Sequence, residues 1–214
     1  GVSAQHYSFA VDAFVRMVKS SGAEQYEFAL RETRTWDIID DVRTLRSELG
    51  ILYRNDFNRK VIDRLLRDSG LAFHPLFVAS PHIFISRRNP LAARARVTLD
   101  DLTDLPRLTF DQGANNSFYF AEEILSTRSS AQEIRGSDRA TIFNLMIGLD
   151  GYTISTGIVS DELDPEIVAI PLDVDERIAI GWIDHASIPL TEQAQRYLDE
   201  VRAVVAGFGV TLLG

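Results

Sequence analysis

Short apolar runs alternate with amphipathic segments along residues 1–70, and this alternation constrains the fold more than any other feature of the sequence. The apolar runs at residues 2–5, 26–30 and 51–53 are predicted strands, and each is followed by apolar residues at helical spacing. A strand that returns to its sheet through a helix makes a right-handed crossover, which produces a parallel sheet with helices on both faces. We therefore predict an α/β fold.

Two neighbouring extended segments interrupt this alternation. Residues 71–77 and 82–87 both read as strands, with Ser80-Pro81 between them and no helix. Because the alternation of strand with helix stops here, we predict that one lobe ends near Ser80 and that a second begins. In the second lobe, Ser117 is predicted to cap a helix that runs to about residue 127.

Residues 136–157 combine a loop, a helix, a glycine stop and a strand. Ser137 or Asp138 is predicted to cap a buried helix, which Gly148 and Gly151 end before a strand at 152–156. A capped helix N-terminus beside a strand that ends in Ser and Thr fits a cradle for an anion or another ligand. An ordinary α/β core with routine caps explains the same residues, so both interpretations stay open.

The composition argues against several kinds of site. The 214 residues carry a formal net charge of −9, which argues against binding of a phosphate backbone by this segment. The absence of cysteine excludes a disulfide framework, a thiolate metal site and a cysteine nucleophile. No apolar run is long enough to span a membrane, and the Gly-Val start leads us to expect an excised or processed fragment.

Catalytic and metal-binding motifs are missing as well. The four histidines show no H-x-H or H-E-x-x-H spacing, and the sequence contains no G-x-S-x-G elbow. Gly207-Phe208-Gly209 lacks the third glycine and the following helix of a dinucleotide-binding fingerprint. We accordingly expect no catalytic residue, no metal ligand and no cofactor, and we predict that the chain is not an enzyme.

Five short motifs occur in an order that points to one family. They are Glu48-Leu49-Gly50-Ile51, Phe73-His74-Pro75-Leu76, Asn89-Pro90-Leu91-Ala92, residues 97–102 followed by Pro106, and Met146-Ile147-Gly148-Leu149 followed by Gly151. Each motif alone is weak, but their common order and spacing are specific. With these motifs the chain resembles the effector-binding domain of LysR-type transcriptional regulators. It departs from the family pattern at Asn89, where His is usual, at an inserted Asp150, and at Thr156, where Pro is common.

The resemblance implies two Rossmann-like lobes joined by two crossover strands, as in type 2 periplasmic binding proteins. Lobe I would comprise residues 1–80 and 183–214, and lobe II residues 81–182. The family's DNA-binding helix-turn-helix would precede this chain and is expected to be absent from it, so promoter DNA would be contacted only through that missing part. The resemblance also implies a homodimer or homotetramer in the cytoplasm, with a small-molecule effector in the interlobe cleft and no membrane partner.

The candidate ligand-binding residues lie in loops at the carboxyl ends of the predicted strands. Ligands of open α/β sheets bind there because helix N-termini converge at the same edge, and the resemblance places the loops before Ser8, Thr35 and Ser117 at the effector cleft. The candidates are His6, Tyr7, Ser8, Thr33, Arg34, Thr35, Tyr53, Gln112, Asn115, Asn116, Ser117, Ser137 and Asp138.

Structural roles account for many of these side chains equally well. Ser8, Thr35 and Ser117 are explained by helix capping alone, and Arg34 by a surface salt bridge. Asn115-Asn116, together with Gln112, is the strongest indication of a hydrogen-bonding site, although polar residues are common in loops.

The sequence thus predicts the effector-sensing domain of a bacterial LysR-type regulator, which binds a small polar or anionic metabolite to modulate DNA binding and transcription. Two alternatives share the two-lobe plan: a solute-binding protein of a transporter and an enzyme of similar architecture. A dimer with an apolar face on the helix at residues 9–18 would favour the regulator, and a monomer or a secretory signal would favour the transporter.

Overall fold

The computed structural model describes residues 1–22 and 24–213. Ala23 and Gly214, which belong to the predicted lobe I, lie outside the described residues. The strands are β1 (Val2–Ala4), β2 (Leu30–Glu32), β3 (Leu49–Arg54), β4 (Leu71–Ala79), β5 (His82–Ser86), β6 (Arg107–Phe110), β7 (Glu133–Gly136), β8 (Thr153–Ser155), β9 (Ile167–Pro171) and β10 (Ile178–His185). The helices are α1 (Ser8–Ser20), α2 (Thr35–Arg43), α3 (Arg59–Asp68), α4 (Arg139–Leu149) and α5 (Glu192–Gly207). Short 3-10 turns lie at Pro90–Ala93, Asp100–Leu102, Gly113–Asn115 and Phe118–Phe120.

A five-stranded sheet has the strand order β2-β1-β3-β10-β4. β1 pairs with β2 and with β3 in parallel, which confirms the parallel arrangement predicted from the alternation. β10 comes from the far end of the sequence and lies antiparallel between β3 and β4. Because β1 and β2 are parallel, the N-termini of α1 and α2, which follow them, meet at one edge of this sheet.

The middle of the chain forms two smaller sheets. β5 lies antiparallel between β8 and β9, and β6 pairs with β7 in parallel. An isolated bridge between Arg107 and Tyr152 connects the two sheets. α4 packs against β5, β6 and β7, and Ile142 and Met146 bury its inner face. The helix is less buried than predicted, since Leu149 is 47% exposed.

β4 and β10 connect the five-stranded sheet with the smaller sheets. They pair from His185 and Leu71 at one end to Ile178 and Ala79 at the other. At Gly181 the strands approach so closely that a Cβ atom would lie 2.5 Å from the His74 carbonyl oxygen, so this position requires glycine. We call the part around the five-stranded sheet lobe I and the part around the smaller sheets lobe II. The predicted fold of two lobes joined by two crossover strands is confirmed.

The predicted helix from Ser117 to about residue 127 does not form. Ser117 accepts a hydrogen bond from the N–H of Tyr119 at 3.4 Å, but it caps only a 3-10 turn. The buried Arg107 guanidinium donates to the carbonyl oxygens of Ile124, Leu125 and Arg128 at 3.0–3.1 Å. These long-range hydrogen bonds hold the segment in an irregular path, and Leu125 adopts a left-handed φ of 56°.

Three local predictions at strand and helix starts also differ from the structure. The strand predicted at 26–30 begins only at Leu30, because Phe28 packs edge-on against Phe14 of α1. Ser8 and Thr35 do not cap their helices, since the capping positions are Tyr7 and Arg34 and neither makes a side-chain cap. Asp138 does cap α4, because its carboxylate accepts from the N–H of Thr141 at 2.8 Å.

Two of the departures from the family pattern contact each other. The Asn89 amide oxygen accepts from the N–H of Leu91 at 2.9 Å, and its nitrogen donates to the Asp150 carbonyl oxygen at 3.4 Å. Asp150 ends α4 with a left-handed φ of 53°. Thr156 accepts from the N–H of Ile158 at 3.3 Å, which proline at this position would not allow. All three residues therefore serve local backbone geometry in this chain.

Candidate functional site

The start of α1 in lobe I is bound by Glu122 of lobe II. The backbone N–H of His6 donates to Oε2 of Glu122 at 3.0 Å, and Nδ1 of His6 lies 2.9 Å from the same oxygen. The two side chains are 3% and 4% exposed. The His6 ring also stacks on Phe110 of lobe II, with ring centroids 4.0 Å apart. The Glu122 carboxylate thus binds the residue that lies two positions before α1.

The pKa of His6 is raised above its usual value. Burial favours the neutral ring, but the Glu122 carboxylate favours the imidazolium by its charge and by its hydrogen bond, with smaller effects from Glu32 and Glu123. The charges outweigh the burial, so the His6–Glu122 contact is an ion pair at mildly acidic pH.

The start of α2 is bound by two consecutive residues of lobe II. The N–H of Thr35 donates to Oε1 of Gln112 at 3.1 Å. The Arg34 guanidinium donates to the carboxylate of Asp111 at 2.8 Å and to its carbonyl oxygen at 3.1 Å. A backbone N–H in the first turn of a helix has no acceptor within the helix. The Gln112 amide therefore supplies an acceptor that a ligand oxygen can supply equally well.

Gln112 joins the two helix starts into one network. Its Nε2 donates to Oε1 of Glu122 at 3.2 Å, so the same side chain contacts the groups at both α1 and α2. On the lobe I side, Gln5 donates to the Thr35 hydroxyl at 2.6 Å and accepts from the Tyr7 hydroxyl at 2.9 Å. Side chains of both lobes therefore satisfy each other across the cleft.

A second cross-lobe contact is centred on Arg139 at the start of α4. Its guanidinium donates to Glu32 of lobe I and to Asp164 of lobe II, each at 3.1 Å. The pKa of both carboxyl groups is raised by burial, while the charge of Arg139 opposes this effect. Arg139 thus shares its charge between the lobes and holds the end of β2 against lobe II.

A small cavity lies beside His6, behind the cross-lobe network. Its volume is about 20 Å³, which is room for about one water molecule. Phe84, Phe110 and Phe143 supply apolar walls. Thr153 also lines the cavity, and its buried hydroxyl has no hydrogen-bond partner among residues 1–22 and 24–213. A metabolite therefore enters this region only if the lobes move apart.

Glu123 is a buried carboxyl group in the wall of this cavity. Burial, with the neighbouring Glu122 charge as the second cause, raises the pKa of Glu123 to about 8. Its Oε1 accepts a hydrogen bond from the N–H of Phe110 at 2.9 Å. Glu123 is thus predominantly protonated at neutral pH.

Aromatic residues of the two lobes meet at the outer edge of the cleft. Phe120 packs edge-on against Trp36 at 5.5 Å between ring centroids, and Tyr119 stacks on Phe57 at 4.7 Å. The Tyr53 hydroxyl donates to the carbonyl oxygen of Ala121 at 3.0 Å. The segment around residues 117–121 is thereby fixed to lobe I.

The structure brings some of the predicted site residues together in the cleft. His6, Arg34, Thr35 and Gln112 take part directly in the cross-lobe network, and Tyr7 and Tyr53 adjoin it. Ser8 is buried beside them, with its hydroxyl 3.5 Å from the Ile158 carbonyl oxygen.

The structure places the other predicted residues elsewhere. Asn116 and Ser117 line a pocket of about 40 Å³ in lobe II, together with Arg107, Arg135 and Gln112 of the cross-lobe network. The remaining candidates are the half-buried Thr33 and Asn115 and the exposed Ser137 and Asp138. Asp138 acts as the cap of α4. A role of these residues in ligand binding stays a prediction.

Sequence reasoning missed Glu32, Glu122 and Asp164, which hold the two lobes together. Glu122 and Glu123 fall within the stretch predicted as helix, where adjacent acids indicate a solvated face. Their burial follows from the irregular path of the segment, which no local pattern predicts. Of these three residues, Glu32 is the one that the sequence could have indicated as a site residue. It is the last residue of β2 and directly precedes the candidates Thr33, Arg34 and Thr35.

The arrangement can bind a small polar molecule between two lobes. It offers backbone N–H groups, one arginine and one histidine from lobe I, and carboxylate and amide groups from lobe II. Within the described ranges 1–22 and 24–213, no cluster of three His, Cys, Asp or Glu residues is placed to hold a metal ion. None of the helices in the described part of the chain is long and apolar enough to cross a membrane.

Comparison with protein families identifies one match. The model of the LysR substrate binding domain matches residues 22–206, which is most of the chain. A comparison with curated protein sequences found no match.

Solved structures of the same fold are similar over nearly the whole chain. The reduced form of the OxyR regulatory domain from Pseudomonas aeruginosa is 16% identical, with a TM-score of 0.64 and coverage of 94% of this chain and 96% of that one. The effector binding domain of QuiR in complex with shikimate is 12% identical, with a TM-score of 0.59 and coverage of 94% of both chains. The regulatory domain of MetR, a LysR family regulator from N. meningitidis, is 13% identical, with a TM-score of 0.61 and coverage of 100% and 98%.

Proposed function

The chain belongs to the family of LysR substrate binding domains, and on this basis we propose that its interlobe cleft binds a small polar or anionic metabolite at the starts of α1 and α2. Membership of this family makes the chain an effector-binding domain of the LysR type rather than a solute-binding protein of a transporter.

The single observation that carries the proposal is the occupation of both helix starts by side chains of the opposite lobe. The N–H groups of His6 and Thr35 each donate to an oxygen of lobe II, at 3.0 and 3.1 Å. These oxygens belong to a carboxylate and to an amide, which are functional groups that metabolites carry as well. A ligand that inserts between the lobes can replace them and shift the angle between the lobes.

The proposed role in transcription follows from the family. We propose that ligand binding alters the arrangement of a homodimer or homotetramer, and that promoter DNA is contacted by a segment outside this chain. The net charge of −9 supports the proposal that this chain does not itself contact DNA. We further propose that the domain acts in the cytoplasm without catalysis, and that residues 1–80 with 183–214 and residues 81–182 are its two moving units.

Self-association can be tested on the isolated chain. Val15 on α1 is 38% exposed, beside the half-buried Phe14. A dimer in analytical ultracentrifugation that Val15→Glu splits into monomers would support the proposed assembly. A chain that sediments as a monomer at every accessible concentration would contradict it.

A proline substitution tests the site itself. Thr35 is the first residue of α2, where proline is tolerated because that N–H has no partner within the helix. Arg34 already has the extended backbone that precedes proline, with φ −65° and ψ 150°. Thr35→Pro therefore removes the N–H donor with little disturbance of the helix. Thr35→Val is the matched control, because it also loses the hydroxyl but keeps the N–H.

The binding assay begins with a thermal-shift screen of organic acids and amino acids, because a ligand of the folded state raises apparent stability by mass action. Calorimetry then compares the strongest ligand on the two variants. We expect Thr35→Pro to bind about tenfold more weakly than Thr35→Val, equivalent to one charge-assisted hydrogen bond. Equal affinities would show that the ligand does not use the start of α2, and the proposed site would be wrong.

A further inference from the structure

The two faces of the cleft have opposite polarity at the starts of α1 and α2. The groups of lobe I that contact lobe II there are the backbone N–H groups of His6 and Thr35, the guanidinium of Arg34 and the imidazole of His6. The positive ends of both helix dipoles add to these donors. The facing groups of lobe II are the carboxylates of Asp111 and Glu122 and the amide oxygen of Gln112.

The other ion pair across the cleft does not cancel this polarity. Arg139 of lobe II pairs with Glu32 of lobe I, but it also pairs with Asp164 of its own lobe at the same distance of 3.1 Å. Arg139 is therefore paired with two carboxylates, and its positive charge does not neutralise Asp111 or Glu122. The lobe II face of the cleft therefore keeps the negative charges of Asp111 and Glu122.

Separation of the lobes leaves charges on both faces without partners. Arg34 and the two helix starts lose their acceptors, while Asp111 and Glu122 lose their donors. The loss of one partner of a buried charge pair costs more than the pair itself contributes. Glu122 is 4% exposed while the lobes are in contact, so a ligand that takes the place of lobe I and excludes water must itself supply a partner for this carboxylate. A ligand that binds tightly must satisfy both faces at once.

A simple carboxylate meets only half of this requirement. Its oxygens satisfy the donors of lobe I, but its negative charge lies next to Asp111 and Glu122. A simple amine pairs with these two carboxylates but repels Arg34. A molecule that carries both groups complements both faces.

We infer that the effector of this domain is a dipolar molecule of the α-amino acid type. Its carboxylate binds the N–H groups of His6 and Thr35 together with Arg34, and its ammonium group binds the carboxylates of Asp111 and Glu122. The ligand thus replaces contacts between the lobes with contacts to itself. This inference rests on the proposed function, because it places the ligand in the same cleft.

Matched sets of ligands test the inference on the 214-residue chain. Each amino acid of a panel is compared by thermal shift and calorimetry with its des-amino carboxylate and with its decarboxylated amine. We expect at least one amino acid to bind about tenfold or more tightly than both of its matched compounds. Carboxylates that bind as tightly as their amino acids would overturn the inference, and so would a panel in which no amino acid binds.

Charge-neutral variants identify the groups that recognise the ammonium. Glu122→Gln and Asp111→Asn keep the size of each side chain and remove its charge. We expect the preference for the amino acid over its des-amino counterpart to fall about tenfold in Glu122→Gln. The control Glu162→Gln changes an exposed glutamate of lobe II and should keep the full preference. An unchanged preference in both cleft variants would overturn the inference.

The outcomes separate this inference from the proposed function. If carboxylates bind as well as amino acids and Thr35→Pro still weakens them, the cleft is the site and only the dipolar class is wrong. If the strongest ligand binds equally to Thr35→Pro and Thr35→Val, the cleft itself is not the site.

Discussion

The backbone N–H of Thr35 donates to the side-chain amide of Gln112 at 3.1 Å, across the cleft between the two lobes. The same amide donates to Glu122, which accepts from His6. One side chain of lobe II thus connects the starts of two helices of lobe I. This relationship makes Gln112 the first residue whose removal should loosen the lobes.

Gln112→Ala should lower the free energy of unfolding by about 1–2 kcal/mol, because it removes the hydrogen bonds of a buried amide to Thr35 and Glu122. Urea unfolding measures the change. Gln132→Ala is the matched control, since Gln132 is exposed and its side chain makes no hydrogen bond within the described residues. Equal stability of the two variants would mean that the cross-lobe amide contributes nothing.

Glu123 should make the domain less stable as pH rises from about 5 to about 8. Burial raises the pKa of Glu123 to about 8, whereas a glutamate of the unfolded chain titrates near about 4.3. Between these values the folded state holds a proton that the unfolded state has released. The free energy of unfolding therefore falls with pH, by at most about 1.4 kcal/mol per pH unit.

His6 adds to this trend, because its pKa is also raised in the folded state. Its contribution is complete below the unfolded pKa of about 6.5 and is lost as pH rises through the folded value. Glu123→Gln should flatten the dependence of urea-unfolding free energy on pH, and the exposed control Glu162→Gln should leave it unchanged. Parallel curves for both variants and the parent chain would contradict a protonated Glu123.

Glu32 and Arg139 should show a coupling free energy of about 1 kcal/mol or more in a double-mutant cycle of Glu32→Gln and Arg139→Met. Their side chains are 24% and 16% exposed and lie 3.1 Å apart across the lobes. Glu192 and Arg196 of α5 form the control pair, with exposures of 72% and 54%, and should couple by only about 0.3–0.5 kcal/mol. The prediction fails if the two cycles give the same coupling.

Trp36 should report separation of the lobes by its fluorescence. The chain contains two tryptophans, so Trp182→Phe leaves Trp36, whose ring packs against Phe120 of the other lobe at 5.5 Å. Lobe separation exposes the indole and should shift its emission to longer wavelength when ligand binds. Phe120→Leu in the same background should reduce the shift. An emission maximum that does not change at saturating ligand would contradict a movement at this edge of the cleft.

The sequence predicts those elements whose formation depends on residues close together in the chain. The parallel strands β1, β2 and β3 follow from the alternation of apolar runs with helical periodicity, and the Asp138 cap follows from a side chain three residues before its N–H donor. The sequence predicts His6, Arg34 and Thr35 as site residues because helix starts after parallel strands meet at one edge.

The hydrogen-bond partners of these residues in lobe II cannot be predicted from neighbouring positions in the sequence. Gln112 lies 77 positions after Thr35, and Glu122 lies 116 positions after His6. The residues around Glu122 read as a helix, but hydrogen bonds from Arg107 to Ile124, Leu125 and Arg128 and from Tyr53 to Ala121 hold them in an irregular path. Spacing within a segment cannot reveal such a competition between local propensity and distant contacts.

The most direct test of the account is a measurement of the His6 and Thr35 amides by nuclear magnetic resonance during a titration with the tightest ligand. We predict that the chemical shifts of these two N–H groups change the most and that their hydrogen exchange remains slow at saturation, because a ligand oxygen replaces Glu122 and Gln112 as the acceptor. Shift changes confined to the lobe II pocket around Asn116 and Ser117, with His6 and Thr35 unaffected, would contradict a ligand site at the starts of α1 and α2.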